Sequence, residues 1–295
     1  MKNTEMCWAG HCLRFTGRPL IMGIVNVTPD SFSDGGAYFD ATTAIEHGLR
    51  LAREGADILD IGGESSRPFS EPVSAEEEMR RVIPVIEGIA EKVPIPLSID
   101  TTKGRVARRA IQAGAGMVND ISALRMDEKM APVVRDSGVP LILMHMLGSP
   151  KTMQIAPRYG NLIEEIHNFL KAAIQEAIER GIQRDRILID PGIGFGKTLA
   201  HNLLLIQQLH RFVSLGCPIL LGPSRKAFIR RLLKPPGEKA LSPDSPLVET
   251  GTQAAVAAAA LAGVHILRVH RVAETLATLK VIDAIGKVQK ADTAH

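Results

Sequence analysis

The strongest constraint on this chain is a unit that recurs eight times: a short, mostly apolar run that gives way to helical spacing, several times through a polar residue at its tip. The runs fall at about 20–27, 57–61, 96–100, 117–120, 141–145, 186–190, 218–222 and 265–270. A short, continuous apolar run bounded by turn signals reads as a fully buried strand. Buried strands alternating with helices on short connections predict an α/β fold, a (β/α)8 TIM barrel. The runner-up is a doubly wound open sheet, but Gly62-Gly63 lacks the full glycine fingerprint of a dinucleotide site.

The intervals between the runs agree with this plan. Ala44, Ile45, Leu49 and Leu51 give residues 41–54 one apolar side, and Gly55 ends the helix. Ser74 with Glu77 three residues on is a capping-box signature for a helix to about Lys92. Further helices are predicted over 161–180 and 247–262, with a last one closing near Gly286. Residues 1–19 read as an N-terminal extension, a hairpin that plugs one end; 20–287 form the barrel and 288–295 a C-terminal tail.

With 295 residues and 45% hydrophobic content the chain can bury a large core, and barrels of this size are routinely one domain. The 35 basic and 32 acidic residues are nearly balanced, with no basic block to suit nucleic acid. Lys2, Asn3, Thr4 and Glu5 interrupt any signal-peptide core. The longest apolar tract, Ala254 to Val264, is short of the roughly 20 residues a membrane span takes. Cys7, Cys12 and Cys217 are sparse enough to fit a reducing compartment, and His11 beside Cys12 lacks the ligand set of a structural metal site. A cytoplasmic protein with no membrane and no nucleic-acid partner is the expectation.

In a barrel of this kind the strand tips converge on one mouth, where active sites sit. The tips carry Asn26, Asp100, Asn119, His145, Asp190, Ser224-Arg225-Lys226, Arg268 and His270. Carboxylates, amides and cations together suit a phosphorylated, nitrogen-rich ligand. Asp190 can accept two parallel hydrogen bonds from a nitrogen-rich ligand, as a carboxylate does from arginine. Asn119 has both a donor and an acceptor for a neighbouring ring edge. Arg268 and His270, two apart on one strand, point to the same side. Glu64, Arg67 and Asp60 read as a charged triplet bracing one loop.

The motifs then match a known family in order. Asn26-Val27-Thr28-Pro29-Asp30-Ser31-Phe32-Ser33-Asp34-Gly35-Gly36 and Gly62-Gly63-Glu64-Ser65-Ser66-Arg67-Pro68 resemble those of the dihydropteroate synthases. So do Ser98-Ile99-Asp100-Thr101, Val118-Asn119-Asp120, Asp190-Pro191-Gly192-Ile193-Gly194-Phe195, Ser224-Arg225-Lys226 and Arg268-Val269-His270. The resemblance runs from about residue 20 to 285.

It implies a transferase of folate biosynthesis that joins 6-hydroxymethyl-7,8-dihydropterin diphosphate to p-aminobenzoate with Mg2+, by an SN1-like displacement of pyrophosphate. It implies Asp34, Asp100 and Lys226 in catalysis, and a pterin site of Asp100, Asn119, Met144, Asp190, Phe195 and Lys226. Asn26, Arg268 and His270 would take the diphosphate, with Asn26 on the metal. Phe32, Ser66, Pro68, Lys226 and Ala227 would form the p-aminobenzoate pocket. Ala227 stands where many relatives have Ser, Ser66 where Thr is commoner, and Phe69 where Gly is commoner. A homodimer is also implied, with 247–262 and the last helix as its surface. Two rival readings share the pterin-edge residues. A methyltetrahydrofolate methyltransferase would not need the cationic set. A non-catalytic pterin-binding paralogue is expected to lose Asn26, Asp34 or His270, all of which stand here.

Overall fold

Eight parallel strands alternate with helices along the chain, because each strand's two faces are both apolar and both need cover. A computed structural model describes residues 5–28, 41–65 and 70–292. A hairpin of β1 (Glu5–Trp8) and β2 (His11–Arg14) precedes β3 (Leu20–Asn26). The barrel continues with α1 (Ala41–Arg53), β4 (Ile58–Gly62), α2 (Ala75–Ala90), β5 (Leu97–Asp100), α3 (Gly104–Gln112), β6 (Met117–Asp120) and α4 (Met130–Ser137). Then come β7 (Leu141–Met144), α5 (Leu162–Glu179), β8 (Ile187–Asp190), α6 (Leu199–Gln207), β9 (Leu220–Leu221), α7 (Ala227–Leu232), α8 (Pro246–Leu261), β10 (Ile266–Val269) and α9 (Val272–Asp292).

The sheet order is β8-β7-β6-β5-β4-β3-β10-β9, and a parallel bridge between Ile189 and Ile219 joins its two ends. β9 is short because Pro218 and Pro223 flank it, and proline has no N–H for the ladder. The period of two divides every strand. Ile21, Val25, Leu59, Ile61, Ile99, Val118, Leu143, Ile189 and Leu267 belong to the core between sheet and helices. Their alternates point into the barrel.

The interior is layered. Met22, Ile58, Met117, Ile142, Leu188, Leu220 and Ile266 form an apolar floor at the strands' N-terminal ends. Met6, Trp8 and Leu13 of the hairpin pack into that floor, and Trp8 Nε1 donates to the Gly116 carbonyl at 2.6 Å. The hairpin therefore closes the end opposite the mouth. Cys7 and Cys12 are register partners across it and are joined by a disulfide, a bond that the reducing-compartment expectation did not include.

Helix limits depart from expectation in physical detail. Ser74 Oγ accepts the Glu77 N–H at 3.1 Å, but the Glu77 carboxylate turns to Arg80 and Arg81, both at 2.7 Å, so half of the predicted capping box is made. α9 runs past Gly286 to Asp292, into the segment expected as tail. Among the described residues no helix is long and apolar enough to cross a membrane.

Candidate active site

At the C-terminal ends of the strands the inward positions become polar. Asp100 and Asn119 are register partners on β5 and β6, and Met144 and Asp190 on β7 and β8, so four adjacent strands build one wall. Asn26 ends β3 and Arg268 stands on β10, with His270 two residues on. A cavity of about 480 Å³ opens over them, lined among others by Asn26, Asp100, Phe195, Lys226, Arg268 and His270. Asn119, Met144 and Asp190 lie deeper in the wall and are nearly covered.

Each side chain is held by a neighbour. Asp190 Oδ1 accepts the Gly192 N–H at 2.7 Å, an Asx-type turn that leaves Oδ2 for other donors. Burial pushes the Asp190 carboxyl up to about 6, against the pull of that N–H and of Lys226, Lys197 and Arg268. Lys226 Nζ lies 4.1 Å from the Phe195 ring centroid, and burial brings its ammonium down to about 8. Phe195 packs with Met144, Ile121, Met146 and Met153 in an apolar cluster beside the polar wall. A flat heterocycle would therefore meet carboxylates and an amide at its edge and apolar surface at its face.

Arg268, expected at an anionic group, is turned inward. Its Nε donates to Asp60 Oδ2 at 2.6 Å and its Nη2 to Asp100 Oδ2 at 2.8 Å. Burial pushes the Asp100 carboxyl up, while the Arg268 guanidinium opposes the shift. His270 shares a 2.9 Å hydrogen bond between Nδ1 and Ser224 Oγ, which fixes the ring at the mouth. Ala227 is exposed at the first turn of α7, directly after Lys226. Phe32, Asp34, Ser66 and Pro68 lie outside the described residues.

Asp60 and Lys197 hold places that the sequence does not announce. Asp60 does not brace the β4–α2 loop: it is fully buried inside the barrel, under Arg268. Its signal was a lone carboxylate in the apolar run Ile58-Leu59-Asp60-Ile61. Glu64 does brace that loop, accepting from Val73 N at 3.1 Å and from Lys103, whose Nζ also reaches Glu78 Oε2 at 2.6 Å. Lys197 is buried under the mouth, donating to the Phe195 carbonyl at 3.0 Å with His145 Nδ1 also 3.0 Å away. Burial brings Lys197 down to about 7 and, with the Lys197 charge beside it, His145 down to about 2.

A parallel barrel whose mouth sets carboxylates and an amide along one wall, with cations opposite, is an enzyme built to read a nitrogen heterocycle. Residues 22–270 match the family described as pterin binding enzyme. Dihydropteroate synthases of Synechocystis and Escherichia coli are 44% and 42% identical, covering 92% and 90% of this chain and 91% of each relative. Among solved structures, Xanthomonas albilineans dihydropteroate synthase with 4-aminobenzoic acid superposes with a TM-score of 0.85 at 47% identity, covering 96% of this chain and 98% of that one. The same enzyme with 7,8-dihydropteroate gives 0.84 at 46% identity, over 96% and 98% of the two chains. The chain belongs to the pterin-binding enzymes and, within them, to the dihydropteroate synthases, which are transferases.

Proposed function

We propose that the barrel mouth joins 6-hydroxymethyl-7,8-dihydropterin diphosphate to p-aminobenzoate, giving 7,8-dihydropteroate and pyrophosphate. The wall from Asp100 through Asn119 to Asp190, faced by Lys226, Arg268 and His270, carries this reading. Asp190 takes the ring N–H and exocyclic amine, and Asn119 and Asp100 take the next edge. Met144 and Phe195 touch the ring face, and Lys226 donates to the ring carbonyl or N5 side.

The reaction breaks the CH2–O bond, and its electron pair leaves with pyrophosphate. The pterin ring delocalises the cation left on the CH2 group, near the negative charges of Asp34 and Asp100. The arylamine lone pair then forms the C–N bond, and its proton is released. Preorganised charge of both signs lowers this barrier. Arg268 and His270 neutralise the leaving group; the first must turn from Asp60 or Asp100 to do so. Asn26 lines the cavity with a neutral amide oxygen, a donor suited to Mg2+, which binds through few protein ligands plus substrate phosphates and waters. Asn26 would hold Mg2+ there, and the ion would contribute positive charge beside the diphosphate. Phe32, Ser66, Pro68, Lys226 and Ala227 are assigned to p-aminobenzoate in this reading, and Asp34 to catalysis.

Leu247, Leu261, Val281 and Ile285 are apolar and exposed on α8 and α9, which supports a homodimer through these helices; light scattering on the purified chain tests it. A cytoplasmic location is part of the same reading, and the Cys7–Cys12 disulfide stands against it. Intact mass after alkylation without reductant tests it, since a reducing compartment delivers Cys7 and Cys12 as thiols. The decisive assay is pyrophosphate release with Mg2+, with and without p-aminobenzoate. Release coupled to dihydropteroate formation supports the synthase; pterin binding without turnover sinks it.

A further inference from the structure

Lys197 is a buried cation held by two neutral acceptors. It is 3% exposed and lines the cavity. Its Nζ donates to the Phe195 carbonyl at 3.0 Å and lies 3.0 Å from His145 Nδ1. Burial, with the Lys197 and Arg125 charges, keeps the His145 ring neutral, so Nδ1 accepts from the ammonium and Nε2 carries the ring hydrogen. Burying an ammonium against neutral acceptors is costly, and the carboxylate whose charge offsets that cost is Asp190.

The turn leaving β8 joins these groups. His145, the residue after β7, donates its backbone N–H to the Asp190 carbonyl at 2.9 Å, and Phe195 N donates to the Gly192 carbonyl at 3.1 Å. Gly192, whose N–H holds Asp190 Oδ1, passes so close to the His145 carbonyl that no side chain fits there. Lys197 ends the turn by returning to the His145 ring. Residues 190–197 are therefore pinned at both ends on His145, with the carboxylate at one end and the ammonium at the other.

We propose that Lys197 is a positioning residue of the pterin site: it ties the Phe195 platform to the end of β7, and its ammonium keeps the Asp190 carboxylate ionised for the ring. This rests on the pterin reading above and adds to it the group that sets the acid limit of binding. The other groups facing the pair are Lys226, Arg268, His145, Arg125 and His201. Burial lifts the Asp190 carboxyl to about 6 and lowers the Lys197 ammonium to about 7. Lys197 is thus charged in the range where Asp190 is open to protonation, and it loses its proton only where Asp190 is already ionised. Neutral, it keeps two N–H donors for Phe195 and His145, so the tie outlasts the charge.

The test is calorimetric titration with 6-hydroxymethyl-7,8-dihydropterin from pH 5 to 9. The proteins are the unmodified chain and its Lys197→Met, Lys197→Gln, Asp190→Asn and Asp190→Asn/Lys197→Met variants. Removing a nearby cation favours the neutral carboxyl, so the acid limb should move up by roughly half to one pH unit in both Lys197 variants. At pH 6 this is about a two- to fivefold loss beyond any loss at pH 8. Lys197→Gln keeps an N–H donor, so its loss at pH 8 should be smaller than that of Lys197→Met. It also keeps the proposal testable if Lys197→Met fails to fold. With Asp190→Asn no carboxyl remains to protect, and adding Lys197→Met should introduce no acid limb. An equal loss at every pH, with the acid limb in place, means that Lys197 only braces the turn and overturns the inference. So does an unchanged titration in both Lys197 variants. If the unmodified chain does not bind the dihydropterin, the pterin reading itself falls and takes this inference with it.

Discussion

Lys226 Nζ lies over the face of the Phe195 ring, 4.1 Å from its centroid, and the carbonyl of the same Phe195 accepts from Lys197 at 3.0 Å. One aromatic residue therefore positions the cation at the mouth and is itself anchored by a second, buried cation. A cation over an aromatic face is worth roughly 0.5–2 kcal/mol. Phe195→Leu keeps apolar bulk and removes the quadrupole, so pterin affinity should fall about two- to thirtyfold. Calorimetry with the dihydropterin checks this; an unchanged Kd would show that Lys226 needs no such platform.

Asp190 and Lys226 define a pH window for pterin binding. The Asp190 carboxyl is raised to about 6 and must be ionised to accept two hydrogen bonds. The Lys226 ammonium is lowered to about 8 and must be protonated to donate. As pH falls through about 6, protonation of Asp190 competes with the ligand; as it rises through about 8, Lys226 loses its proton. Affinity should be greatest between these values and fall about tenfold per pH unit beyond each. Asp190→Asn should flatten the acid limb and leave the alkaline one, which titration from pH 5 to 9 reads directly. An acid limb that persists in Asp190→Asn belongs to another group.

Gly192 tests how tightly the β8 tip is built. Its φ is +73°, in the left-handed region, and a Cβ placed there would meet the His145 carbonyl oxygen at 1.8 Å. The same residue donates to Asp190 Oδ1 at 2.7 Å, so displacing it moves the carboxylate. Gly192→Ala should cost on the order of 3 kcal/mol or more through backbone displacement. Pterin affinity should fall together with the melting temperature. Retained affinity with a lowered melting temperature would mean that the Asp190 carboxylate is positioned without Gly192.

The chain is legible where its side chains obey a period. Inward and outward residues alternate with the strand pleat, so a polar residue ending an apolar run, such as Asp100, Asn119 or Asp190, announced itself as a mouth residue. Asp60 did not, because a carboxylate two residues short of its strand's end has its meaning fixed by partners from β6 and β10, 59 and 208 positions away. For Arg268 the sequence gives the side it faces but not which of several carboxylates holds it. Lys197 is hidden for a similar reason: its partner His145 is 52 residues away, and its ammonium is lowered chiefly by burial, against the pull of Asp190.

Trp8 links the hairpin to the barrel and gives a prediction about stability without catalysis. It is nearly buried among the floor residues Met22, Met117 and Ile266, and its Nε1 donates to the Gly116 carbonyl at 2.6 Å. Truncation to Ala empties an indole-sized space and orphans that carbonyl, a loss of roughly 3–5 kcal/mol. The melting temperature followed by circular dichroism should fall by on the order of ten degrees. Trp8→Phe refills most of the space but cannot donate, so its loss should be about 1–2 kcal/mol, the hydrogen bond alone. The floor lies at the barrel end opposite Asp190 and Lys226, so both variants should keep the dihydropterin Kd while folded. A Trp8→Ala protein with unchanged melting temperature would show that the hairpin does not close the floor in solution.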